Sequence, residues 1–186
     1  MSLIDSYLKE ASLALTRLNT DAIEEAAGIC TDSIRRGGTL YFCGNGGSAV
    51  DSQHLAGELV GRFRLERKPL PAVAITANSA VITAVANDYD FTEVFARQVE
   101  ALGRKGDVLI AISTSGNSEN VLKALRQAQC SGMRTVGLTG KDGGALKRMV
   151  DVCISAESEH TSHAQEALLA AGHAICFSVE KALSDE

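Results

Sequence analysis

Five short apolar runs recur along the chain: "TLYFC" (39–43), "AVAI" (72–75), "VLIAI" (108–112), "TVGLT" (135–139) and "VCIS" (152–155). Each is continuous rather than alternating, and each is bounded by turn residues, the pattern of a strand buried on both faces. Between them lie stretches with helical spacing, at about 48–61, 79–86, 91–102, 118–130 and 144–149, and a long one closes the pattern at about 162–183. Strands alternating with helices predict an α/β fold: a doubly wound, three-layer sandwich on a five-stranded parallel sheet. Right-handed crossovers then bring every strand's C-terminal end to one edge, where ligands bind in such folds.

Ahead of this core, residues 2–36 read as two helices. Leu3, Tyr7, Leu8, Ala11, Leu15 and Leu18 recur at helical spacing, Asn19 and Thr20 are cap candidates, and Gly37 is a stop. This pair has no sheet partner in sequence and is expected to pack on another subunit. No linker, charge block or repeat divides the chain, so one domain spanning 1–186 is expected, with 1–36 as a helical extension and 37–186 as the core. At 186 residues it can bury a real core.

Composition excludes some roles. The net charge is −5, which disfavours general nucleic-acid binding, because phosphate contacts need a basic face. The one basic cluster, Arg62, Arg64, Arg67 and Lys68, is interrupted by Glu66 and reads as a solvated face or a local anion contact. No apolar run approaches the roughly 18–20 residues that span a bilayer. The first ten residues carry Asp5 and Glu10 and lack an apolar signal core, so a cytoplasmic location is expected. Cys30, Cys43, Cys130, Cys153 and Cys176 form no CxxC pair and read as buried, reduced thiols.

Two loops after strands carry the chemical signal. Gly44-Asn45-Gly46-Gly47-Ser48 follows the first strand, and Ser113-Thr114-Ser115-Gly116-Asn117-Ser118 follows the third. Each opens a helix with small residues, free N–H groups and hydroxyls, and helix N-termini attract anions. The hydroxyls of "STSGNS" suit a phosphate monoester. Neither loop has GxxxxGK[ST] or GxGxxG spacing, so nucleotide motifs are not matched. "LTGKDGGAL" lacks a run of hydroxyls and reads as a turn and cap.

His54 and Glu58 stand four apart on the helix after the glycine loop and so share a face. Beside a phosphate loop they are within a sugar's length of it, a layout that aldose–ketose interconversion requires: a base for the proton between C1 and C2, and an acid or metal for the carbonyl. In isolation the same pair reads as a surface ion pair. The last helix, "SHAQEALLAAGHAICF", places Gln165 and His173 among apolar residues, where His173 is either functional or a buried structural histidine.

Taken together, "CGNGGSAVDSQHLAGELVGRF", "ANDY", "AISTSGNSENVL" and "TSHAQEALLAAGH" resemble the sugar isomerase (SIS) family of phosphosugar-binding domains, and within it the isomerases of seven-carbon sugar phosphates. The resemblance covers nearly the whole chain. It implies a flavodoxin-like doubly wound sheet, a homotetramer with active sites at subunit interfaces, and conversion of sedoheptulose 7-phosphate to D-glycero-D-manno-heptose 7-phosphate for surface polysaccharide. It implies that Asn45, Gly46, Gly47, Asn87, Asp88, Ser113, Thr114, Ser115 and Ser118 contact the phosphosugar, together with Glu58 and Gln165, and that Ser48 is a further candidate. It implies one zinc ion held by His54, Glu58, Gln165 and His173, with Glu58 and His173 transferring protons. The chain departs from the family pattern at His163, which occupies the position of an arginine. The alternative is a non-catalytic member of the same family that binds a phosphosugar or the replication initiator; the presence of His54 and Glu58 favours the enzyme.

Overall fold

The computed structural model describes residues 2–184. The five apolar runs form β1 (Leu40–Gly44), β2 (Ala72–Ala74), β3 (Val108–Ser113), β4 (Arg134–Gly140) and β5 (Val152–Ala156). They make one parallel sheet in the order β2-β1-β3-β4-β5. Leu40 is flanked by Ala72 on one side and Val108 on the other, and Val136 by Ile110 and by Val152. The order reverses between β1 and β3. That reversal opens a crevice between the loops that follow these two strands.

The helices are α1 (Leu3–Thr16), α2 (Thr20–Arg35), α3 (Gly47–Val60), α4 (Ser79–Asp88), α5 (Ala96–Leu102), α6 (Glu119–Cys130) and α7 (Thr161–Leu183). The stretches read as helices at 91–102 and 144–149 are shorter than expected. The first divides into a 3₁₀ turn, Phe91–Glu93, and α5, and the second is only a 3₁₀ turn at Leu146–Arg148.

Successive strand residues point to opposite faces, so two cores form. Leu40, Phe42, Ile110, Leu138 and Ile154 pack on one face with Cys30, Leu55, Leu59, Leu168 and Ile175 from α2, α3 and α7. Tyr41, Cys43, Leu109 and Ala111 pack on the other with Val99, Val121 and Leu125 from α5 and α6. This is the three-layer sandwich expected from the alternation of elements.

The N-terminal pair corrects the expectation made for it. Ile23, Ala26, Ala27 and Cys30 of α2 are buried in the first core, so α2 belongs to the sandwich. Only α1 stays outside: Ala14 is its one buried residue among those described, while Leu3, Ile4 and Leu8 are exposed. The cysteines also divide. Cys30, Cys43 and Cys176 are buried, and burial pushes each thiol up to about 12, leaving it inert. Cys130 is exposed and Cys153 half-buried.

The basic cluster is not a uniform solvated face. Arg62 is exposed and 3.9 Å from Glu66. Arg67 is buried against Glu180 of α7.

Candidate active site

The turn from β1 into α3 is tight. A Cβ on Gly44 would lie 2.8 Å from Ser48 and 2.9 Å from the Ile112 carbonyl, so only glycine lets α3 start this close to β3. Gly46 sits at φ +55°, a left-handed conformation that glycine adopts without strain. Asn45 faces across the crevice: its amide and that of Asn120 on α6 each donate to the other's oxygen at 2.8 Å. The two loops on either side of the crevice are therefore tied together.

On the far side, three hydroxyls of the "STSGNS" loop converge. Ser113 Oγ is 3.0 Å from Ser118 Oγ and 3.4 Å from Ser115 Oγ. Ser118 is the N-cap of α6, yet its side chain caps nothing. The Val121 N–H is taken by the Ser118 carbonyl and by Asn120 Oδ1, each at 3.0 Å, while the N–H groups of Glu119 and Asn120 in the same first turn have no partner among the described residues. Thr114 is half-buried beside them. Gly116, at φ +65°, turns the loop, and its carbonyl accepts the Leu146 N–H at 2.9 Å. Asn117 Oδ1 accepts the Ala145 N–H at 3.0 Å. The glycine-rich 140–145 segment, read as a turn and cap, is thus also a brace behind the hydroxyl loop.

His54, Glu58 and His173 form one cluster within a single chain. His54 Nε2 lies 2.7 Å from His173 Nε2 and 3.4 Å from Glu58 Oε1, and one ligand atom from each lies within 4.8 Å of the others. Their meeting depends on the packing of α3 against α7. A Cβ on Gly172 would lie 2.6 Å from Leu55, so the glycine before His173 lets the helices approach closely. Glu58 and His173, which the resemblance implies lie in an active site at a subunit interface, are brought together within one chain by this helix pair.

Gln165 lies further toward the N-termini of the same two helices. Its amide rests over Gly47, and Nε2 donates to Asp51 Oδ2 at 3.0 Å. Asp51, buried one turn before His54, was not singled out in the sequence. Burial pushes its pKa up, opposed by the Gln165 bond and by His54 and His173. For His173, burial and then His54 push the pKa below the usual histidine value, against Glu58 and Asp51. The imidazole is therefore neutral near pH 7 and can bind a cation or accept a proton.

The donor set fits a zinc ion. Two imidazole nitrogens and a carboxylate oxygen suit zinc, whose ligand atoms in a tetrahedral site lie about 3.3 Å apart. The observed separations, from 2.7 Å to the 4.8 Å limit, bracket that spacing.

Other candidates lie apart. Asn87 and Asp88 are exposed at the end of α4, where Asn87 donates to Asp88 at 2.8 Å, and neither bonds to any other candidate. His163 is buried edge-on to Tyr7 and His160, with ring centroids 4.4 and 5.2 Å away. It lines a cavity of about 780 Å³ bounded by Glu10, Arg17, Lys141 and Glu159, separate from the donor cluster.

The fold and its loops define a class. A model of the SIS domain matches residues 6–140. Among curated proteins, the chain is 54% identical over 182 residues to the phosphoheptose isomerase of Rhodospirillum rubrum, covering 97% of both, and 46% identical over 181 residues to that of Akkermansia muciniphila, covering 97% of this chain and 93% of the relative. The solved structure of the phosphoheptose isomerase from Neisseria gonorrhoeae superposes with a TM-score of 0.90 at 37% identity, over 96% of this chain and 97% of that one. The chain belongs to the SIS domain family and, within it, to the phosphoheptose isomerases; it is an enzyme, an isomerase of sugar phosphates.

Proposed function

We propose that the enzyme converts sedoheptulose 7-phosphate to D-glycero-D-manno-heptose 7-phosphate in the cytoplasm, supplying heptose for surface polysaccharide. The observation that carries this reading is the meeting of His54, Glu58 and His173 beside a crevice whose opposite wall holds three convergent hydroxyls.

The phosphate sits on Ser113, Thr114, Ser115 and Ser118 and on the open N–H groups of α6. Asn45, Gly46 and Gly47 contact the sugar at the mouth of the crevice. Glu58 removes the proton from one of the two carbons that exchange oxidation state and returns it to the other. His173, neutral at the working pH, moves the proton between the hydroxyl and carbonyl oxygens. His54, Glu58, Gln165 and His173 would hold one zinc ion, which supplies Lewis-acid polarisation of those oxygens when bound. Asn87 and Asp88, solvent-facing and unconnected to their own chain's cluster, reach the site of a neighbouring chain in a homotetramer. The exposed leucines of α1 support such an assembly.

The test is turnover of sedoheptulose 7-phosphate by purified protein, with and without chelator, for wild type and Glu58→Gln. Loss of a positioned base costs about 10²–10⁴-fold in rate. Near-wild-type turnover by Glu58→Gln would overturn the assignment.

A further inference from the structure

The segment after α3, residues 61–68, carries no donor of the cluster, yet its backbone is gripped from two sides. Glu180 on α7 is fully buried. Its carboxylate accepts the N–H groups of Phe63 at 2.9 Å, Arg64 at 2.8 Å and Leu65 at 3.1 Å. Three successive amides around one carboxylate form an anion nest. Arg67, whose side chain is only 3% exposed, places Nε 3.2 Å from Glu180 Oε1. Its Nη1 donates to the carbonyls of Leu59 at 2.8 Å, Gly61 at 3.2 Å and Lys68 at 3.0 Å, and Nη2 to that of Glu58 at 2.9 Å. The guanidinium thus closes the last turn of α3, where helix carbonyls lack partners.

The same grip reaches the cluster. Glu180 follows His173 by seven residues, which is nearly two full turns, so both lie on one face of α7 about 10.5 Å apart. The gripped loop runs back along that face, and Phe63 comes to rest on the His173 imidazole. Their centroids are 5.4 Å apart and their planes differ by 21°. Arg64 covers Phe63 from outside, 5.3 Å from its centroid, and spans to Phe177 at 4.8 Å. With His54 edge-on at 5.0 Å, the His173 ring is bounded on a flat face and on an edge. Rotation of the ring breaks the stack.

A buried ion pair is a poor way to gain stability, since a well-packed apolar pair of similar volume often serves better. Its specific return here is geometry. We infer that Glu180 and Arg67 are positioning residues for the isomerase: they hold the 61–68 loop so that Phe63 sets the ring plane of His173, while Arg67 anchors the turn of α3 that bears Glu58. The inference rests on the roles proposed above for Glu58 and His173.

The experiment uses full-length Phe63→Leu, Phe63→Tyr and Glu180→Gln. Histidine ring resonances are recorded on metal-free protein, and kcat and KM on sedoheptulose 7-phosphate with zinc present. A stacked phenyl ring shields the His173 ring protons. In Phe63→Leu they shift toward the values of a free histidine, and kcat falls about 10-fold or more, as for lost outer-shell support, while KM changes by less than about 2-fold, since no substrate contact is removed. Phe63→Tyr restores both. Glu180→Gln gives the same shift and the same fall in kcat at temperatures where it is fully folded. Wild-type resonances and kcat in Phe63→Leu, or in folded Glu180→Gln, would reduce the pair to a structural tie and overturn the inference. Glu58→Gln, run in parallel, separates the two levels: its activity judges the proposed reaction roles, while the metal-free spectra judge the positioning alone.

Discussion

Gly47 marks the point where α3 comes closest to the polar end of α7. A Cβ placed there would lie 2.5 Å from Gln165 Nε2, 2.6 Å from Oε1 and 2.8 Å from Cδ. Ordinary contact begins at 3.4 Å, so Gly47→Ala forces the amide back by about 0.9 Å. The obstruction is the end of a flexible side chain rather than backbone, so the fold accommodates it. Gly47 is the first residue of α3, where alanine is the better helix former by up to about 1 kcal/mol. Stability should therefore hold or rise slightly. The Gln165–Asp51 bond, 3.0 Å long, does not survive such a retreat away from α3. A displacement near 1 Å at a reacting centre costs about 10²-fold. The expected result is an unchanged melting temperature, kcat/KM lower by about 100-fold, and weaker zinc binding by calorimetry in the absence of sugar. Turnover within about 3-fold of wild type would show that Gln165 is not needed where the structure puts it.

Three further outcomes are expected. Ser115→Ala and Ser118→Ala each remove a donor to a charged oxygen, worth about 1.5–3 kcal/mol, and raise KM by about 10-fold or more with the fold intact; unchanged KM in both leaves the loop a capping role only. Mixed assemblies of Glu58→Gln and His173→Ala chains stay inactive, because one chain supplies both groups to one cluster, and recovered activity in confirmed hybrids would contradict that. Burial tends to raise the Glu180 pKa, but three N–H groups and Arg67 outweigh it and hold the carboxyl below its usual range. Its stabilising contribution is complete above the ordinary glutamate value near ~4.3 and is lost as pH falls through the lower folded value. Unfolding free energy measured across that acid window should show a steeper decline in wild type than in Glu180→Gln.

Much of the architecture was legible because period and punctuation agree: buried strands read as continuous apolar runs, and helices as 3.6-residue patterns with caps. The two loops were legible because glycines and hydroxyls at strand ends have few other uses. Partnership between elements was not. The apolar stripe of α2 says that it buries a face, but not which, so it was assigned to another subunit when its partners are β1, β5 and α7. Asp51 and Asn120 escaped notice because a polar residue within a helix acquires its role only from what packs opposite, here Gln165 and Asn45. Arg67 looked like part of a surface cluster because its partner, Glu180, lies on the last helix. Gly172 is the one missed feature with a readable signal: a glycine within a long helix costs stability, and its return is the approach of α3.

The reciprocal amides of Asn45 and Asn120 do more than join two loops. Each amide spends one N–H and one lone pair on the other, and the half-buried Asn45 keeps one N–H for a ligand without releasing its buried mate, Asn120. The gap between the two walls is thereby set before anything enters it. On the roles proposed above, with the phosphate anchored at one end and the proton-moving groups on α3 and α7 at the other, the crevice would work as a caliper. It would gauge the number of carbons between phosphate and carbonyl, and a sugar one carbon too short, seated by its phosphate, would stop short of Glu58.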